Sequence, residues 1–259
     1  MKPDNLFSFK LFGKSLYADV IKNRWLYLAF FESVTGLTLL IYLLLGTMKL
    51  APISFSYLFG WSFFISGILL SGFSFNLLTR KNDNYYFLLL PASNFEKLFT
   101  KVILLYVVFP PLMFLSLMFV GGAGNFLNEI LFSAKAIEFN YLISKLSGFV
   151  IAYAIFSPLF VFGSIYFNEL GIVKTVLSIA GILFVYTMFV LVVYNLLFWD
   201  SIDGFGFMLK RGFVFAYPTV YKALPLLQDV IDIIIFGIKY LLAPFFLVMS
   251  YLALKEKEV

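Results

Sequence analysis

The chain has 259 residues, of which 62% are apolar and 13% are charged, about half of the charged share of a typical soluble domain. It contains neither Cys nor His, which excludes disulfides, iron–sulfur clusters, thiol nucleophiles, imidazole bases and His-ligated zinc or haem. In so apolar a chain, the net charge of +5 favours contact with anionic lipid headgroups over nucleic acid.

The apolar residues are concentrated in stretches long enough to cross a bilayer, which requires about 20 residues per helix. Alternation typical of strands is absent, so we expect an all-α integral membrane protein whose residues 1–259 form a single transmembrane domain. Six spans are predicted, at about Trp25 to Leu45, Phe55 to Leu78, Val102 to Val120, Leu146 to Phe167, Ile172 to Phe198 and Ile233 to Leu254.

The distribution of Lys and Arg predicts the orientation of these spans. The N-terminal segment, the second and fourth connections and the C-terminal tail carry about twice as many Lys and Arg residues as the opposite side. Because positively charged flanks stay in the cytoplasm, both termini are predicted to be cytoplasmic. We therefore expect a multi-pass protein of the cell inner (plasma) membrane.

The segment before the first span, residues 1–24, has the pattern of a cytoplasmic amphipathic helix. Apolar and polar side chains fall on opposite sides at helical spacing, with Leu6, Phe9, Leu16 and Val20 on one side and Ser8, Ser15, Asp19 and Lys22 on the other. Such a segment commonly lies in the headgroup plane, so we expect an interfacial helix. It would serve either as a simple anchor or as a contact for a cytoplasmic partner.

The connections differ in length and composition. The first is short and contains Pro52, and the fourth consists of only Asn168 to Gly171. The third, Gly121 to Lys145, is longer and opens with a glycine-rich run. The fifth, Trp199 to Asp232, contains the apolar stretch Phe205 to Phe215, which is too short to span and too apolar for a free loop. Re-entrant or interfacial helices are predicted there, on the outer face.

Prolines occur inside three of the predicted spans. Pro110 and Pro111 lie in the third, Pro158 in the fourth and Pro244 in the last. Because proline has no N–H and its ring crowds the preceding turn, each is expected to kink or break its helix.

The sequence offers little catalytic chemistry. Gly13-Lys14-Ser15 resembles the end of a phosphate-binding loop, but the required earlier glycine is Ser8, and no strand precedes it. We therefore expect no nucleotide, metal or other cofactor on this chain, and no enzymatic activity of its own. If the protein uses ATP, another chain must bind it.

Glu32 is the one carboxylate well inside a predicted span. Ionisable groups in membranes are costly and usually face protein or a watery cavity. Glu32 could pair with Lys or Arg of a neighbouring segment, line a substrate path or carry a proton. A proton relay is disfavoured, because the spans lack further ionisable partners.

The connection between the second and third spans has the clearest local signals. Ser93 and Glu96 form a capping box, which predicts that a helix starts just after Ser93 and continues into the third span. Before Pro91 lies the aromatic and aliphatic run Tyr85 to Leu90, on the predicted cytoplasmic side. An apolar run outside the bilayer favours burial against a protein surface, although an interfacial turn is the alternative.

This connection resembles that of the membrane permease subunits of ATP-binding-cassette exporters of the type-2 superfamily. In that family the loop carries a leucine run, a Pro-small-Ser turn, a Glu three residues later and a Lys entering the third span. The run Leu88-Leu89-Leu90-Pro91-Ala92-Ser93, followed by Glu96 and Lys101, matches that order and spacing. Thr100 stands where the family usually has Gly, and Arg80 to Tyr86 stands in place of its Glu-Arg-Gly stretch.

The resemblance implies an exporter subunit that couples to separate ATPase subunits, which carry ATP and Mg. Two copies, or one copy and a close paralogue, would form a path lined by spans one, two and five, for lipid-like, peptide or other amphipathic cargo moved by alternating access. The residues implied in ATPase coupling are Tyr85, Tyr86, Phe87, Leu88, Leu89, Leu90, Pro91, Ser93, Glu96 and Lys101. The alternative is a membrane scaffold or assembly factor without transport activity.

Overall fold

The computed structural model describes residues 8–48, 52–75, 93–132, 136–167, 170–198 and 225–257, and its described part is helical with no strand. The side chains of residues 52–53, 190–191, 193–198, 225–235 and 238 are outside this description. The helices are α1 (Phe9–Thr47), α2 (Pro52–Phe73), α3 (Asn94–Ile103), a π-helical turn (Leu104–Val108), α4 (Phe109–Phe132), α5 (Phe139–Ile143), α6 (Leu146–Tyr166), α7 (Gly171–Phe198) and α8 (Pro225–Lys257).

The predicted all-helical membrane architecture is confirmed at this level. Within the described residues, five helical stretches are long and apolar enough to cross a membrane, and they contain the first five predicted spans or most of each. The sixth predicted span, Ile233 to Leu254, is helical throughout and lies inside α8. The count of six spans stays a prediction, because α8 is not among those five stretches.

The chain divides into two compact units, one formed by Met1–Ile172 with Ala243–Val259 and the other by Val173–Leu242. In the first unit, aromatic rings fill the core between α2, α4 and α6. Phe63, Phe109 and Tyr153 are each about 1% exposed, and their ring centroids lie 5.4 to 5.7 Å apart. Tyr153 fits against α2 because Gly67 has no side chain there: a Cβ would lie 2.5 Å from its ring.

In the second unit, the described side chains of α7 are mostly exposed and apolar. Phe184, Val185, Tyr186 and Phe189 each expose more than 60% of their surface. A continuous apolar surface of this kind is typical of a helix that faces lipid or another protein in the membrane.

The first helix differs from the expectation of a separate interfacial helix. Residues 9–47 form one uninterrupted α-helix, which joins the amphipathic segment directly to the first span. No Gly or Pro occurs between Gly13 and Gly36 to break it. Across the expected boundary at Trp25, Tyr27 donates its hydroxyl to the carboxylate of Asp19, which ties the two parts of the helix together.

The third span extends beyond its predicted end at Val120, into the predicted connection Gly121 to Lys145. The third span continues through the glycine-rich run as α4 to Phe132, and α5 occupies part of the remainder. The glycines at 121 and 124 do not form a turn; they let neighbouring side chains pack closely against the helix. At Gly124 a Cβ would lie 2.5 Å from the Tyr42 ring, and at Gly121 it would lie 3.0 Å from Leu142. Tertiary contacts therefore override the low helix propensity of glycine.

Pro110 and Pro111 do not end the third span. They lie in the first turn of α4, and the π-helical turn Leu104–Val108 precedes them directly. The N–H of Phe109 donates to the carbonyl of Leu104, five residues earlier. The helix thus continues through the prolines after one widened turn. Helices α6 and α8 likewise continue through Pro158 and Pro244.

Smaller differences concern the ends of other elements. Pro52 is the first residue of α2, a position that proline favours, and α2 ends at Phe73, five residues before the predicted Leu78. The short fourth connection is confirmed, since α6 ends at Tyr166 and α7 begins at Gly171. The predicted re-entrant stretch Phe205 to Phe215 lies outside the described residues.

Candidate functional site

The predicted capping box starts α3, and its geometry is complete. Ser93 Oγ accepts the backbone N–H of Glu96 at 3.2 Å, and Glu96 Oε2 accepts the backbone N–H of Ser93 at 2.8 Å. Two N–H groups that a helix start leaves open are therefore satisfied reciprocally. Of the residues implied in coupling, Tyr85 to Pro91 lie outside the described residues, and Ser93 is the first one within them.

The carboxylate of Glu96 also reaches the start of another helix. Its Oε1 accepts the backbone N–H of Ser8 at 2.5 Å, and Ser8 is the N-cap of α1 without a side-chain cap of its own. Glu96 is only 1% exposed. One buried carboxylate thus caps α1 and α3 together, where the positive end of each helix dipole favours a negative charge.

A buried ion pair holds α3 to α1 at its other end. Lys101 Nζ lies 2.6 Å from Asp19 Oδ1, and the two side chains are only 7% and 10% exposed. Tyr27 donates its hydroxyl to Asp19 Oδ2 at 3.0 Å, and Asn23 donates to Oδ1 at 2.9 Å. The carboxylate is therefore fully surrounded by donors, the condition under which a buried pair tolerates loss of water.

The polar side of the N-terminal segment is the side that packs on α3. Between the two ends, Thr100 Oγ1 donates to Ser15 Oγ at 3.4 Å, and both residues are buried. By contrast, Phe9 and Val20 on the apolar side are 82% and 39% exposed. We call this contact the α1–α3 interface, which comprises Ser8, Ser15, Asp19, Glu96, Thr100 and Lys101.

Aromatic contacts flank the α1–α3 interface and add the end of α8. The Phe12 and Phe99 ring centroids lie 5.5 Å apart, and Phe95 stacks on Phe99 at 5.9 Å. On its other side Phe95 meets Tyr251 edge-to-face at 6.4 Å. Helix α3 is therefore in contact with both α1 and the C-terminal part of α8.

Glu32 lies on an exposed face of α1, away from the α1–α3 interface. Within the described part of the chain it forms no hydrogen bond or ion pair, so the expected pairing with a neighbouring Lys or Arg is not seen there. One turn further, Gly36 is also exposed, and a Cβ added to it would meet nothing within 4 Å. This face of α1 therefore offers a carboxylate and a site of close approach to whatever lies beside it.

Sequence reasoning missed Asp19 as the partner of Lys101. The two residues are separated by 82 positions, so no local pattern links them. One signal was available, since Asp19 is one of only two acidic residues before Trp25, in a segment otherwise rich in Lys and Arg. A lone acid next to a membrane span, facing a Lys that enters another span, is a candidate ion pair.

The charged groups of the α1–α3 interface are engaged with one another and with backbone N–H groups, so the arrangement holds the two helices together. No group of three or more metal-ligating side chains comes together in the described ranges. No family model matches this sequence, and neither a curated protein nor a solved structure is similar to it.

Proposed function

We propose that the chain is the transmembrane permease subunit of an ATP-binding-cassette exporter, in which the α1–α3 interface transmits the movement of separate ATPase subunits. The proposal rests on the leucine run Leu88 to Leu90 and the Pro91 turn, which lead into a helix capped by Ser93 and Glu96. The single observation that carries it is the double role of Glu96. Glu96 occupies the position of the Glu that the family carries after its Pro-small-Ser turn, and its carboxylate links the starts of α1 and α3.

In this mechanism, ATP binding on the partner subunits draws them together and displaces Tyr85 to Leu90. The displacement acts on the N-terminal end of α3, because the capping box fixes where that helix begins. Two connections lead onward from α3. One passes along the chain through the π-helical turn into α4, and the other passes through Glu96 and Lys101 into α1. Spans one and three would therefore tilt together.

The buried contacts between α1 and α3 suit a movement in which the two helices tilt together. A salt bridge in water is weak and easily rearranged, whereas one that is about 90% buried resists separation, because each charge would be left unpaired. The pair Asp19 and Lys101 therefore favours a rigid-body movement of α1 with α3 over sliding between them. Rigid elements with fixed contacts are the usual carriers of such changes.

If a translocation path lies between two copies, or between one copy and a paralogue, Glu32 would face that path or the neighbouring chain. A carboxylate that faces away from its own helices within a span avoids lipid when it faces a neighbouring chain or a watery path. Gly36, one turn away, permits close approach of another helix. The cargo class proposed from the apolar composition is lipid-like, peptide or otherwise amphipathic, and both termini are proposed to lie in the cytoplasm.

Purification through a tag on this chain tests the proposal. The chain should retain an ATPase of the ATP-binding-cassette class in stoichiometric amount after mild solubilisation. Recovery of the folded chain without such an ATPase would contradict the proposal and favour the alternative of a membrane scaffold. Leu89→Asp, which places a charge in the leucine run, should release the ATPase, whereas Leu252→Asp, at an exposed position of α8, should retain it.

A further inference from the structure

A cavity of about 580 Å³ lies between α1, α2 and the segment from Lys101 to Leu105. This volume is within the range of about 300–1,000 Å³ that is typical of small-molecule sites. Its walls are mostly apolar, with Leu26, Phe30, Val34 and Leu70 among them. All elements that form it belong to the first compact unit.

The main polar cluster of the cavity lies at one end. Asn23, Tyr27 and Lys101 line that end, and all three donate to the carboxylate of Asp19. The charges of Lys101 and Asp19 cancel, so the end is neutral overall and offers fixed dipoles. A ligand that fits would combine an apolar body with a polar group placed next to this cluster.

The length of the cavity indicates which kind of apolar ligand it can hold. Its α1 wall runs from the polar end at Tyr27 to Leu37, ten residues or about 15 Å at about 1.5 Å per residue. The hydrocarbon core of a bilayer is about 30 Å thick, so this length matches one leaflet. Leu26 and Leu37 are 54% and 60% exposed, which leaves the cavity open along one side of α1.

We infer that this cavity binds one acyl chain of a bilayer phospholipid, with the headgroup beside the cluster of Asp19 and Lys101. The match to one leaflet, the polar cluster at one end and the lateral opening all fit a chain that enters from the adjoining leaflet. The inference does not depend on the proposed transport function. The bound lipid would lie directly next to the α1–α3 interface, because Lys101 belongs to both the interface and the cavity wall.

Photo-crosslinking tests the inference directly. The purified chain is reconstituted in vesicles of phosphatidylcholine that contain a small fraction of phosphatidylcholine with a diazirine in the middle of one acyl chain. After irradiation, mass spectrometry should find the adducts concentrated on residues 26–37 and 69–74. An even spread of adducts over those residues and the exposed face of α7 would overturn the inference.

Two substitutions provide a matched comparison. Ser33 lines the cavity, and Ser178 lies on the exposed face of α7; each is exposed and donates to the carbonyl four residues earlier. Ser33→Trp fills the cavity and should reduce adducts there by about tenfold, whereas Ser178→Trp should leave them unchanged. Unchanged labelling in Ser33→Trp overturns the inference.

A second pair covers the case in which Ser33→Trp does not fold. Leu37→Trp lies at the cavity and Leu44→Trp lies two turns further along the same helix, outside it. Only the first should reduce labelling. In a separate arm, a diazirine fatty acid replaces the phospholipid; if only the fatty acid labels the cavity, the phospholipid assignment is overturned.

Discussion

Tyr153 donates its hydroxyl to the backbone carbonyl of Leu105 at 2.9 Å, and this bond satisfies a carbonyl that the helix itself leaves open. The N–H of Phe109 bonds to Leu104, and Pro110, the next residue, has no N–H. Leu105 therefore lacks a helical partner. A side chain from α6 supplies one, so Pro110 is tolerated without leaving this carbonyl unsatisfied.

Tyr153→Phe should destabilise the protein by about 1–3 kcal/mol, because it leaves that buried carbonyl without a donor. Tyr166 on the same helix is 60% exposed, and Tyr166→Phe should change stability by less than about 0.5 kcal/mol. Reversible unfolding in mixed micelles measures both. In a Pro110→Ala background, which restores an N–H, the cost of Tyr153→Phe should fall. Equal costs in both backgrounds would refute the role of Pro110.

Loss of one partner of the buried ion pair should be costly. Lys101→Met leaves Asp19 buried without its cation and should cost about 3–5 kcal/mol, whereas Lys174→Met at an exposed position should cost little. The double variant Asp19→Asn with Lys101→Met should lose clearly less than the sum of the two single changes. Additive losses would show that the two side chains do not interact.

The glycines of α4 provide a test of helix packing. Gly124→Ala places a Cβ 2.5 Å from the Tyr42 ring, whose hydroxyl is held by Asn125 at 2.7 Å, so the ring has little freedom to yield. A cost of about 1–3 kcal/mol is expected. At Gly122, two residues away, a Cβ would meet nothing within 4 Å, and Gly122→Ala should raise stability by up to about 1 kcal/mol. Equal effects of the two substitutions would contradict the packing described for α4.

The polar contact between α1 and α3 is open to a crosslinking test, because the chain has no native Cys. Ser15 Oγ and Thr100 Oγ1 lie 3.4 Å apart, so Ser15→Cys with Thr100→Cys should form a disulfide readily under mild oxidation. Ser15→Cys with Ser116→Cys, whose second position is half-buried on α4, is the control pair. After the chain is cleaved between the two helices, electrophoresis shows whether a disulfide still joins the fragments. Crosslinking of the control pair alone would exclude the α1–α3 interface.

Much of the helical architecture follows from local sequence signals, and most of the site does not. The start of α3 was predictable because Ser93 and Glu96 form a capping box within four residues. The course of α4 through Gly124 was not, since the glycine signal favours a loop until the Tyr42 ring is known to pack there. The polar arc with Ser15 and Asp19 was expected to face water or headgroups; instead its partners come from a helix about 80 residues away.

The central claim, that Glu96 transmits ATPase movement into the spans, is tested most directly by ATP hydrolysis in the co-purified complex within nanodiscs. Glu96→Ala removes the acceptor shared by Ser8 and Ser93, and Glu129→Ala removes an exposed carboxylate of α4 as the matched control. The account predicts that Glu96→Ala keeps the ATPase bound but reduces its stimulation by about tenfold or more, a loss of at least about 1.4 kcal/mol in coupling, while Glu129→Ala keeps full stimulation. Full stimulation in Glu96→Ala, or the absence of any ATPase from the purified wild-type protein, would contradict it.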